Sequence, residues 1–553
     1  MTYPSVRPAA VVAPATSAES GTILAAPRAD ASLVKRLRAS IGPTTLRWGG
    51  QTTQVTLVRA VDSRCLAWAT TGAIPTGSVQ LSFSGPTGHF RARVTSLGVD
   101  DGLLLTTSPD RIEAVRFRRD PRARAPANVV AHLSDSTRSF SRPVRNLSDR
   151  GIAVAISPRF DRFEPGARFS VVIDWQGAAR IEATVEIRHT GEEDGEGAVF
   201  AGASLSFMTA EDRERWNERV DSLLHPLTRT TSMFSRDIWD LFERAGYLSL
   251  SNKKPEDFTE LRDAFRHACG YLTAHPEVGT QVVLPSSRGL ETSISAIAEY
   301  PNTVALYHMA RRPGADPRGV EPKAILRAAY ERAIRWVARS DRRWLSVWVQ
   351  DVTPFACGVH RDFAAAHADG NGAGVFTFHA LEIAADEAVT LPFGWIVRPA
   401  TPAELPGLLE KFADHFPAPL PSVRAWDVDS LAGSFGNDHA PRERLPILAF
   451  QDGRLVAGAL LENMPLGMHL FGIFDTLHAV AFDDTPNAIE PLLRYASTWY
   501  ATRGKKHFVY ASEQPASAVP GARDLGLTHD TFISSEHLGE FLEHVWHLTA
   551  SST

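Results

Sequence analysis

Apolar and polar positions alternate along much of the first part of the chain. In short runs every second side chain is apolar, as expected for strands with one face buried and one face in water. Clusters of glycine and proline separate the runs, at the spacing of a small antiparallel barrel or sandwich. The runs lie at 54–58, 78–83, 90–94, 129–131, 151–155, 169–173 and 183–187. They predict two antiparallel β-barrels in tandem, over residues 40–115 and 116–208.

After residue 208 the apolar positions recur with the period of a helix. The first of these helices is predicted at 210–224, within a linker segment 209–234, and a second at 256–271. Beyond them the pattern alternates between strands and helices, which predicts an α+β arrangement in two similar halves, 235–392 and 393–549. The sequence therefore predicts a multidomain chain.

The two halves share a repeated order of strand, crossover helix and strand. The first copy occupies 303–309, 322–337 and 345–349, and the second occupies 477–482, 486–500 and 507–510. Such a unit favours parallel strands with a helix packed on the sheet. In the second copy Thr485 is the predicted N-cap and Pro486 the first helical residue.

Composition narrows the class of protein. The chain has 553 residues, of which 44% are apolar and 22% charged, which excludes wholesale disorder and a fibrous repeat. Residues 1–31, rich in Ala, Pro, Ser and Thr, are predicted to be a disordered tail. Lys and Arg number 58 against 63 Asp and Glu, a net charge of -5, so coating of nucleic acid by a basic surface is not expected.

The lack of a recognisable targeting signal and the small number of cysteines predict a cytoplasmic protein. No run of apolar residues is long enough for a transmembrane segment or for the core of a signal peptide. The three cysteines, Cys65, Cys269 and Cys357, are too few and too scattered for a disulfide framework or a zinc cage. We therefore expect no metal site.

Two short motifs near the start of the second predicted barrel carry the clearest chemistry. The first is Arg118-x-x-x-Arg122, in an arginine-dense connector, and the second is Asn146-x-Ser148-x-x-Gly151, at the start of a predicted strand. In this order and spacing the pair resembles the PilZ family, β-barrel receptors for cyclic di-GMP. The barrel before it resembles the N-terminal barrel of flagellar-brake (YcgR-type) PilZ proteins.

The resemblance implies a cyclic di-GMP site, and the residue types suit that ligand. Guanidinium groups bind phosphates and guanine Hoogsteen edges through two hydrogen bonds, and they stack on purines. Short polar side chains add hydrogen bonds without filling the pocket, and glycine permits close approach of the backbone. The predicted ligand-binding residues are Arg118, Arg119, Arg122, Asn146, Ser148 and Gly151.

The second α+β half resembles the GNAT acyltransferase superfamily. The matching segments are 396–400 before a helix, a strand–turn–strand at 446–459, and the late Leu-Gly-Leu at 525–527. The first half resembles a more divergent copy, and together the halves resemble transferases of the Fem type. The resemblance implies N-acyl or aminoacyl transfer to an amine, with acyl-CoA or another acyl donor.

The segments that would hold the pyrophosphate of acyl-CoA depart from the superfamily pattern. In the second half the corresponding segment 483–488 is acidic, which disfavours pyrophosphate, whereas segment 311–319 of the first half is basic and contains glycine. Acyl-CoA, an acyl carrier, an aminoacyl donor and no donor at all remain open. Arg288, in a turn, is a further candidate for holding a carboxylate or phosphate.

A general base is expected near the opening between the central strands of each half. The candidates are Glu299, His308, His469 and His478. Whether the halves are catalytic is open. The leading hypothesis is a cyclic di-GMP-responsive GNAT-type transferase. The alternatives are a non-catalytic effector whose GNAT-like halves dock a motility or envelope protein, and a structural protein without a ligand.

Overall fold

The computed structural model describes most of the chain. The described residues are 22–24, 44–48, 51–62, 64–70, 72–85, 88–109, 112–117, 122–157, 160–161, 163–175, 180–192, 199–230, 234–252, 259–314, 316–368, 372–432, 439–470 and 475–549. The chain divides into two compact units, Met1–Val220 and Asp221–Thr553.

The first unit opens with a closed barrel. Its strands are β1 (Thr22–Leu24), β2 (Thr44–Trp48), β3 (Gln51–Asp62), β4 (Cys65–Thr70), β5 (Gly77–Gly85), β6 (Gly88–Asp100), β7 (Leu103–Thr107) and β8 (Ile112–Phe117). The order β6-β5-β2-β3-β4-β7 is closed by the pairing of β6 with β7, and β8 and β1 extend the sheet beside β6. Leu46, Trp68 and Leu81 fill the interior, and the Trp68 indole donates to Thr106 Oγ1 at 2.9 Å.

The second barrel follows in the same unit. Its strands are β9 (Ala123–Arg124), β10 (Val129–Ser134), β11 (Ser139–Ser148), β12 (Gly151–Ala155), β13 (Arg168–Trp175), β14 (Ile181–Glu192) and β15 (Val199–Phe207). The order β10-β13-β14-β15-β12-β11 closes through β10 and β11, and β9 pairs with β11. Leu133, Ile173 and Ile187 are fully buried inside the barrel. A helix, α1 (Ala210–Leu224), follows β15.

The second unit contains helices on a single large sheet. The helices are α2 (Ser235–Ala245), α3 (Thr259–Ala274), α4 (Pro322–Arg339), α5 (Pro354–Ala356), α6 (Asp362–Ala366), α7 (Leu405–His415), α8 (Leu420–Val423), α9 (Val428–Ala432), α10 (Glu490–Ala501) and α11 (Leu538–Leu548). A π-helical turn (Cys357–Arg361) joins α5 to α6, and short 3-10 turns lie at Tyr247–Asn252, Ala516–Ala518 and Ser535–His537.

The strands of this unit form one sheet of twelve. They are β16 (Arg229–Thr230), β17 (Gly279–Ser286), β18 (Gly289–Tyr300), β19 (Thr303–Arg311), β20 (Trp344–Gln350), β21 (Ala373–Ala384), β22 (Trp395–Pro399), β23 (Glu443–Gln451), β24 (Arg454–Asn463), β25 (Thr476–Ala481), β26 (His507–Ser512) and β27 (Arg523–Ser534). Their order is β16-β17-β18-β19-β20-β27-β21-β26-β25-β24-β23-β22.

The order of strands shows an exchange between the two sequence repeats. The final strand, β27, pairs with β20 of the first repeat, while β21, which precedes the second repeat, pairs with β26 of that repeat. The strands β21 and β27 also pair with each other, through a long antiparallel register from Ala373–Ile533 to Glu382–Arg523. The sheet is therefore continuous across residues 392 and 393, where the sequence places the boundary between the halves.

The predicted architecture of two antiparallel barrels followed by an α+β region is confirmed. Helix α1 occupies the predicted residues, and each β–α–β repeat has its two strands in parallel. The predicted start of the second crossover helix is wrong, because α10 begins at Glu490. Asn487 has a φ of 57°, and the Thr485 amide donates to Asp483 Oδ1, so this segment forms a turn before the helix.

Of the predicted tail, only Thr22–Leu24 is described, and these residues pair with β8 as an edge strand. The rest of residues 1–31 lies outside the described part of the chain. Among the helices that are described, none has the length and apolar character needed to span a bilayer.

Candidate functional site

The short strand β9 brings the two motifs of the second barrel together. Arg124 pairs with Asn146 and Ala123 with Leu147 in an antiparallel register. Continuing this register by one residue places Arg122 opposite Ser148. Because side chains alternate between the faces of a strand, Arg122, Asn146 and Ser148 share one face. Leu147 and Ala123, on the opposite face, are buried in the barrel.

A bulge and a tight hairpin shape the second motif. The register of β11 against β12 shifts between Val144 and Asn146, so one residue is inserted immediately before Asn146. Such bulges bend a strand and redirect its side chains. Ser148 then pairs with Gly151 across the turn, and Ser148 Oγ donates to Gly151 O at 3.4 Å. The motif is therefore a hairpin that presents Asn146 and Ser148 from one strand.

Gly151 is required by the packing of its neighbours. A Cβ atom at this position would lie 2.8 Å from the carbonyl oxygen of Ala203 on β15. Any side chain would therefore force β12 and β15 apart, since the obstacle is backbone and not a flexible side chain. The glycine of the motif thus holds the hairpin against the barrel, which is a structural role beside the predicted role in binding.

Helix α1 supports the hairpin from outside the barrel. The indole of Trp216, which is fully buried, donates to Ser148 O at 2.8 Å, and its ring lies 6.1 Å from that of Phe207. This bond satisfies a carbonyl at the end of β11, where the strand turns away. The position of Ser148 is therefore set by main-chain pairing on one side and by a tryptophan on the other.

The described arginine of the connector lies at the edge of this face. Arg122 is half-buried, Asn146 is half-buried and Ser148 is buried. Arg118 and Arg119 lie outside the described residues. A guanidinium and an amide on one face of a strand pair are groups of the kind that bind a phosphate and a base edge.

In the second unit, the parallel strands of each repeat separate soon after they meet. The strands β19 and β20 pair only from Thr303–Trp344 to Ala305–Ser346, although both continue beyond. The strands β25 and β26 pair only at Thr476–Val509 and Leu477–Tyr510. Each repeat thus has a V-shaped opening toward the carboxyl ends of its central strands, where the sequence predicts a general base.

Glu299 lies in a buried ionic cluster and not at an open cleft. We call the buried ionic cluster the set of Glu299, Arg424, Arg442, Arg444, Glu462 and Asp530. Glu299 Oε1 accepts from Arg424 at 3.1 Å and from Arg442 at 2.9 Å. Its other oxygen accepts the hydroxyl of Tyr307 at 3.0 Å. Both carboxylate oxygens are therefore engaged with partners.

The buried ionic cluster is balanced in charge. Arg442 and Arg444 each bind Glu462, at 2.5 and 3.0 Å, and Arg424 binds Asp530. Burial alone raises the pKa of Glu462, but the charges of Arg442, Arg444 and Arg424 outweigh it and hold the pKa at about 2. Three guanidinium groups thus face three carboxylates, which is the pairing that a buried charge needs.

His478 contacts aromatic rings beside the buried ionic cluster. Its imidazole packs edge-on against Trp426 and Phe416, at 5.1 and 6.0 Å between centroids, and neither ring nitrogen has a hydrogen-bond partner. Burial, reinforced by the charge of Arg424, lowers the pKa of His478 to about 3. The ring is therefore neutral at pH 7.

His308 occupies a strained position in β19. Its φ is 56°, at a register shift between β18 and β19, and its Nδ1 lies 3.0 Å from Ser295 Oγ. Burial lowers its pKa to about 3. His469 is also buried. Of the four predicted general-base candidates, the structure places only Glu299 in the buried ionic cluster and His478 beside it, and their catalytic roles stay predictions.

The two segments considered for pyrophosphate already hold partners within the chain. The Asp483 carboxylate accepts the amide of Thr485 at 2.9 Å and the guanidinium of Arg454 at 2.6 Å. In the basic segment, Arg318 binds Asp316, and the buried Arg312 binds the carbonyl of Leu290. Arg288 binds the buried Glu291 through two nitrogens, at 2.8 and 2.6 Å.

Sequence reasoning missed most of the buried ionic cluster. Arg424 lies 125 residues from Glu299 and 106 from Asp530 along the chain, and Arg442 lies 143 from Glu299. The three arginines and Asp530 occur in segments without a motif. The available signal was weak: Glu299 and Glu462 each end a run of apolar residues in a strand. A carboxylate in such a run predicts a buried partner, but not which of the arginines supplies it. Within the described residues, no three metal-binding side chains form a group.

Comparison with known proteins agrees with the sequence motifs in the second barrel. Residues 116–222 match the family model of the PilZ domain, which covers β9–β15 and nearly all of α1. The chain thus carries a PilZ domain. None of the curated proteins compared matches the sequence.

Solved structures similar to parts of the chain include MrkH from K. pneumonia in a complex with cyclic di-GMP. It has 17% sequence identity, covers 37% of this chain and 97% of its own, and has a TM-score of 0.31. YcgR from Escherichia coli in complex with cyclic di-GMP has 12% identity, 35% and 91% coverage, and a TM-score of 0.28. A tandem GNAT protein from the clavulanic acid biosynthesis pathway has 16% identity, 56% and 98% coverage, and a TM-score of 0.30.

Proposed function

We propose that the PilZ domain of this chain binds cyclic di-GMP through Arg122, Asn146, Ser148 and Gly151, with Arg118 and Arg119 completing the site. The observation that supports the proposal is the pairing of Ala123 and Arg124 with Leu147 and Asn146, which brings the chain next to Arg122 beside the second motif within the segment that matches the PilZ family. Both sequence motifs then contribute to one face. Since the ligand is a bacterial second messenger, the proposal places the protein in the cytoplasm.

The chemistry of the face accounts for the choice of ligand. Two phosphates need cationic donors, which the connector supplies with Arg118, Arg119 and Arg122. A guanine Hoogsteen edge offers two acceptors that one guanidinium fork can bind together. Before binding, the like charges of the connector repel one another. Neutralisation by the ligand then favours an ordered connector against the barrel.

Isothermal titration calorimetry of the full chain with cyclic di-GMP tests the proposal. We expect saturable binding by the unsubstituted protein and loss of measurable heat in Arg118→Ala and Arg122→Ala. Arg168→Ala is the matched control, because Arg168 belongs to the same barrel but is largely exposed and pairs with Glu186. Unchanged affinity in both connector variants would contradict the site assignment.

We propose further that cyclic di-GMP regulates an N-acyl or aminoacyl transferase in the second unit. The V-shaped openings of both β–α–β repeats support this proposal, since they leave room for a donor at the carboxyl ends of the strands.

A non-catalytic effector that docks a motility or envelope protein is the second candidate. The observation that favours it concerns the two segments considered for pyrophosphate. Asp483 in one and Arg312 in the other already bind partners within the chain. Titration with acetyl-CoA, with and without cyclic di-GMP, distinguishes the two. Binding followed by acetylation of an added amine supports the transferase. If acetyl-CoA gives no heat of binding and no acetylated amine forms, with or without cyclic di-GMP, the result supports docking.

A further inference from the structure

Three neighbouring strands place a histidine between a threonine and a carboxylate. In the antiparallel register His529 of β27 lies directly opposite Val349 of β20 on one side and Thr377 of β21 on the other. Asp351 follows β20, immediately beyond its carboxyl end. This is the end at which β19 and β20 have separated. The three polar side chains therefore lie at the same edge of the sheet as the first V-shaped opening.

The hydrogen bonds of this group have a defined direction. His529 Nε2 lies 3.1 Å from Asp351 Oδ1, and His529 Nδ1 lies 2.9 Å from Thr377 Oγ1. An ionised carboxylate only accepts, so Nε2 carries the proton. In a neutral imidazole Nδ1 then has the lone pair, and the hydroxyl of Thr377 donates to it. The imidazole is thus in the tautomer that can take the hydroxyl proton.

Burial and charge favour the same role. The side chain of His529 is only 7% exposed, whereas Asp351 is 53% exposed and Thr377 faces solvent. Arg361 donates to Asp351 Oδ1 at 2.7 Å and also pairs with Asp362, so the carboxylate is fixed in place. The other titratable group near Arg361 is the thiol of Cys357. Because both nitrogens of His529 are engaged, the hydroxyl of the exposed Thr377 is the nucleophile that the group offers.

We propose that Thr377 is an acyl acceptor nucleophile, with His529 as its general base and Asp351 as the residue that positions the imidazole. Thr377 Oγ1 attacks the carbonyl carbon of an activated acyl group, and its proton passes to His529 Nδ1. The bond from the carbonyl carbon to the leaving group breaks, and the leaving group takes that proton. A threonyl ester remains. An amine or water then attacks the carbonyl carbon of the ester and gives a proton to Nδ1. The bond from that carbon to Thr377 Oγ1 breaks, and Nδ1 passes the proton to Oγ1.

The substrate class follows from the leaving group. An acyl thioester or an aryl ester has a leaving group of low pKa and needs less help to depart than an alkyl ester. The proposal deepens the transferase proposed above, on which it rests for its substrate class. It names a covalent route by which an acyl group reaches an amine, and it does not require the pyrophosphate segments to bind.

Acylation of the full chain by p-nitrophenyl acetate tests the proposal. We expect release of p-nitrophenolate and, after an acid quench, the added mass of one acetyl group on the peptide that contains Thr377. Thr377→Val keeps the β-branched shape without the hydroxyl and should lose both signals, while Thr377→Ser should retain them. Asp351→Asn, at an exposed position, should slow the release by at least about a hundredfold, the size typical of a mispositioned base.

A similar constellation in the second barrel supplies the control. Ser141 Oγ lies 2.7 Å from His132 Nδ1, but the nearest carboxylate of that group, Asp174, is 4.0 Å from Nε2. Ser141→Ala should therefore leave release and labelling unchanged. Labelling elsewhere, no reaction of the unsubstituted chain, or equal rates in Thr377→Val would overturn the proposal. Amine acetylation by Thr377→Val would also overturn it, while leaving the proposed transferase intact.

Discussion

Arg122 directly precedes β9, whose Ala123 and Arg124 pair with Leu147 and Asn146 of β11, and in the proposed site the identity of the side chain at position 122 is decisive. A lysine at position 122 would keep the charge but lose the planar fork that binds two acceptors at once. We expect Arg122→Lys to weaken binding of cyclic di-GMP by about tenfold to a hundredfold, the discrimination typical of one bidentate contact. Calorimetry measures the change, with Arg168→Lys as the control. Equal affinity would mean that Arg122 acts as a charge alone.

Gly151 tests the packing of the hairpin. Gly151→Ala places a Cβ atom 2.8 Å from Ala203 O, so we expect the barrel to lose about 1–3 kcal/mol of stability through overpacking. Thermal unfolding followed by circular dichroism measures this. Gly270→Ala in α3 is the control, because its Cβ would meet no atom within 4 Å and alanine favours a helix. Equal melting of Gly151→Ala and the unsubstituted chain would contradict the close approach.

Single residues also show the limit of the sequence motifs. The spacing of Arg118, Arg122, Asn146, Ser148 and Gly151 predicts a shared site, and the described part of that set does lie on one hairpin and its neighbouring strand. The bond from Trp216 to Ser148 O could not be predicted, because the two residues are far apart in sequence and no pattern marks a tryptophan as a donor to a particular carbonyl.

Among the elements, the strands of the second unit depart most from local expectation. Each β–α–β repeat is visible in the sequence through its hydrophobic period and turn residues. The exchange of β21 and β27 between the repeats is not visible in the sequence. The hydrophobic pattern of a strand shows which face is buried and not which strand pairs with it. The predicted start of α10 is also wrong, for a local reason. The Asp483 carboxylate accepts the Thr485 amide, and a turn at Asn487 comes before the helix.

The buried ionic cluster links elements of both sequence halves and should therefore matter for stability. Glu299→Gln leaves Arg424 and Arg442 without a full counter-charge, so we expect a loss of about 3–5 kcal/mol in the free energy of unfolding. Chemical denaturation followed by tryptophan fluorescence measures it. Glu260→Gln is the control, since its pair with Lys506 is exposed and should contribute less than about 1 kcal/mol.

The same variant separates two roles of Glu299. If this residue were only a general base, Glu299→Gln would abolish transfer and leave the unfolding curve unchanged. We expect Glu299→Gln to lower the free energy of unfolding, because both oxygens of Glu299 bind partners in the buried ionic cluster. A variant of full stability without activity would contradict the structural role.

Acid stability is a property of the whole second unit. Burial lowers the pKa of His308, His360 and His478 to about 3, whereas the ordinary value is about 6.5. Between these values the unfolded chain binds protons that the folded chain does not, so falling pH favours unfolding. We expect the contribution of these three histidines to the free energy of unfolding to be constant above about pH 7 and to fall as the pH decreases from about 6.5 towards 3.

The size of that effect follows from the number of histidines. Three protons correspond to a slope that approaches about 4 kcal/mol per pH unit below pH 6. Denaturation series at several pH values measure the slope, and His478→Gln should reduce it by about one third. A free energy of unfolding that does not change between pH 7 and pH 5 would contradict the burial of these rings as neutral groups.

The chain as a whole combines a PilZ domain with a continuous twelve-stranded α+β sheet. We propose above all that the PilZ domain binds cyclic di-GMP. Calorimetric titration of the full chain with cyclic di-GMP and, in parallel, with cyclic di-AMP tests this most directly. Bidentate binding of guanine by arginine predicts saturable binding of cyclic di-GMP and an affinity at least about tenfold lower for cyclic di-AMP. No saturable heat with cyclic di-GMP, or equal heat with both nucleotides, would contradict the account.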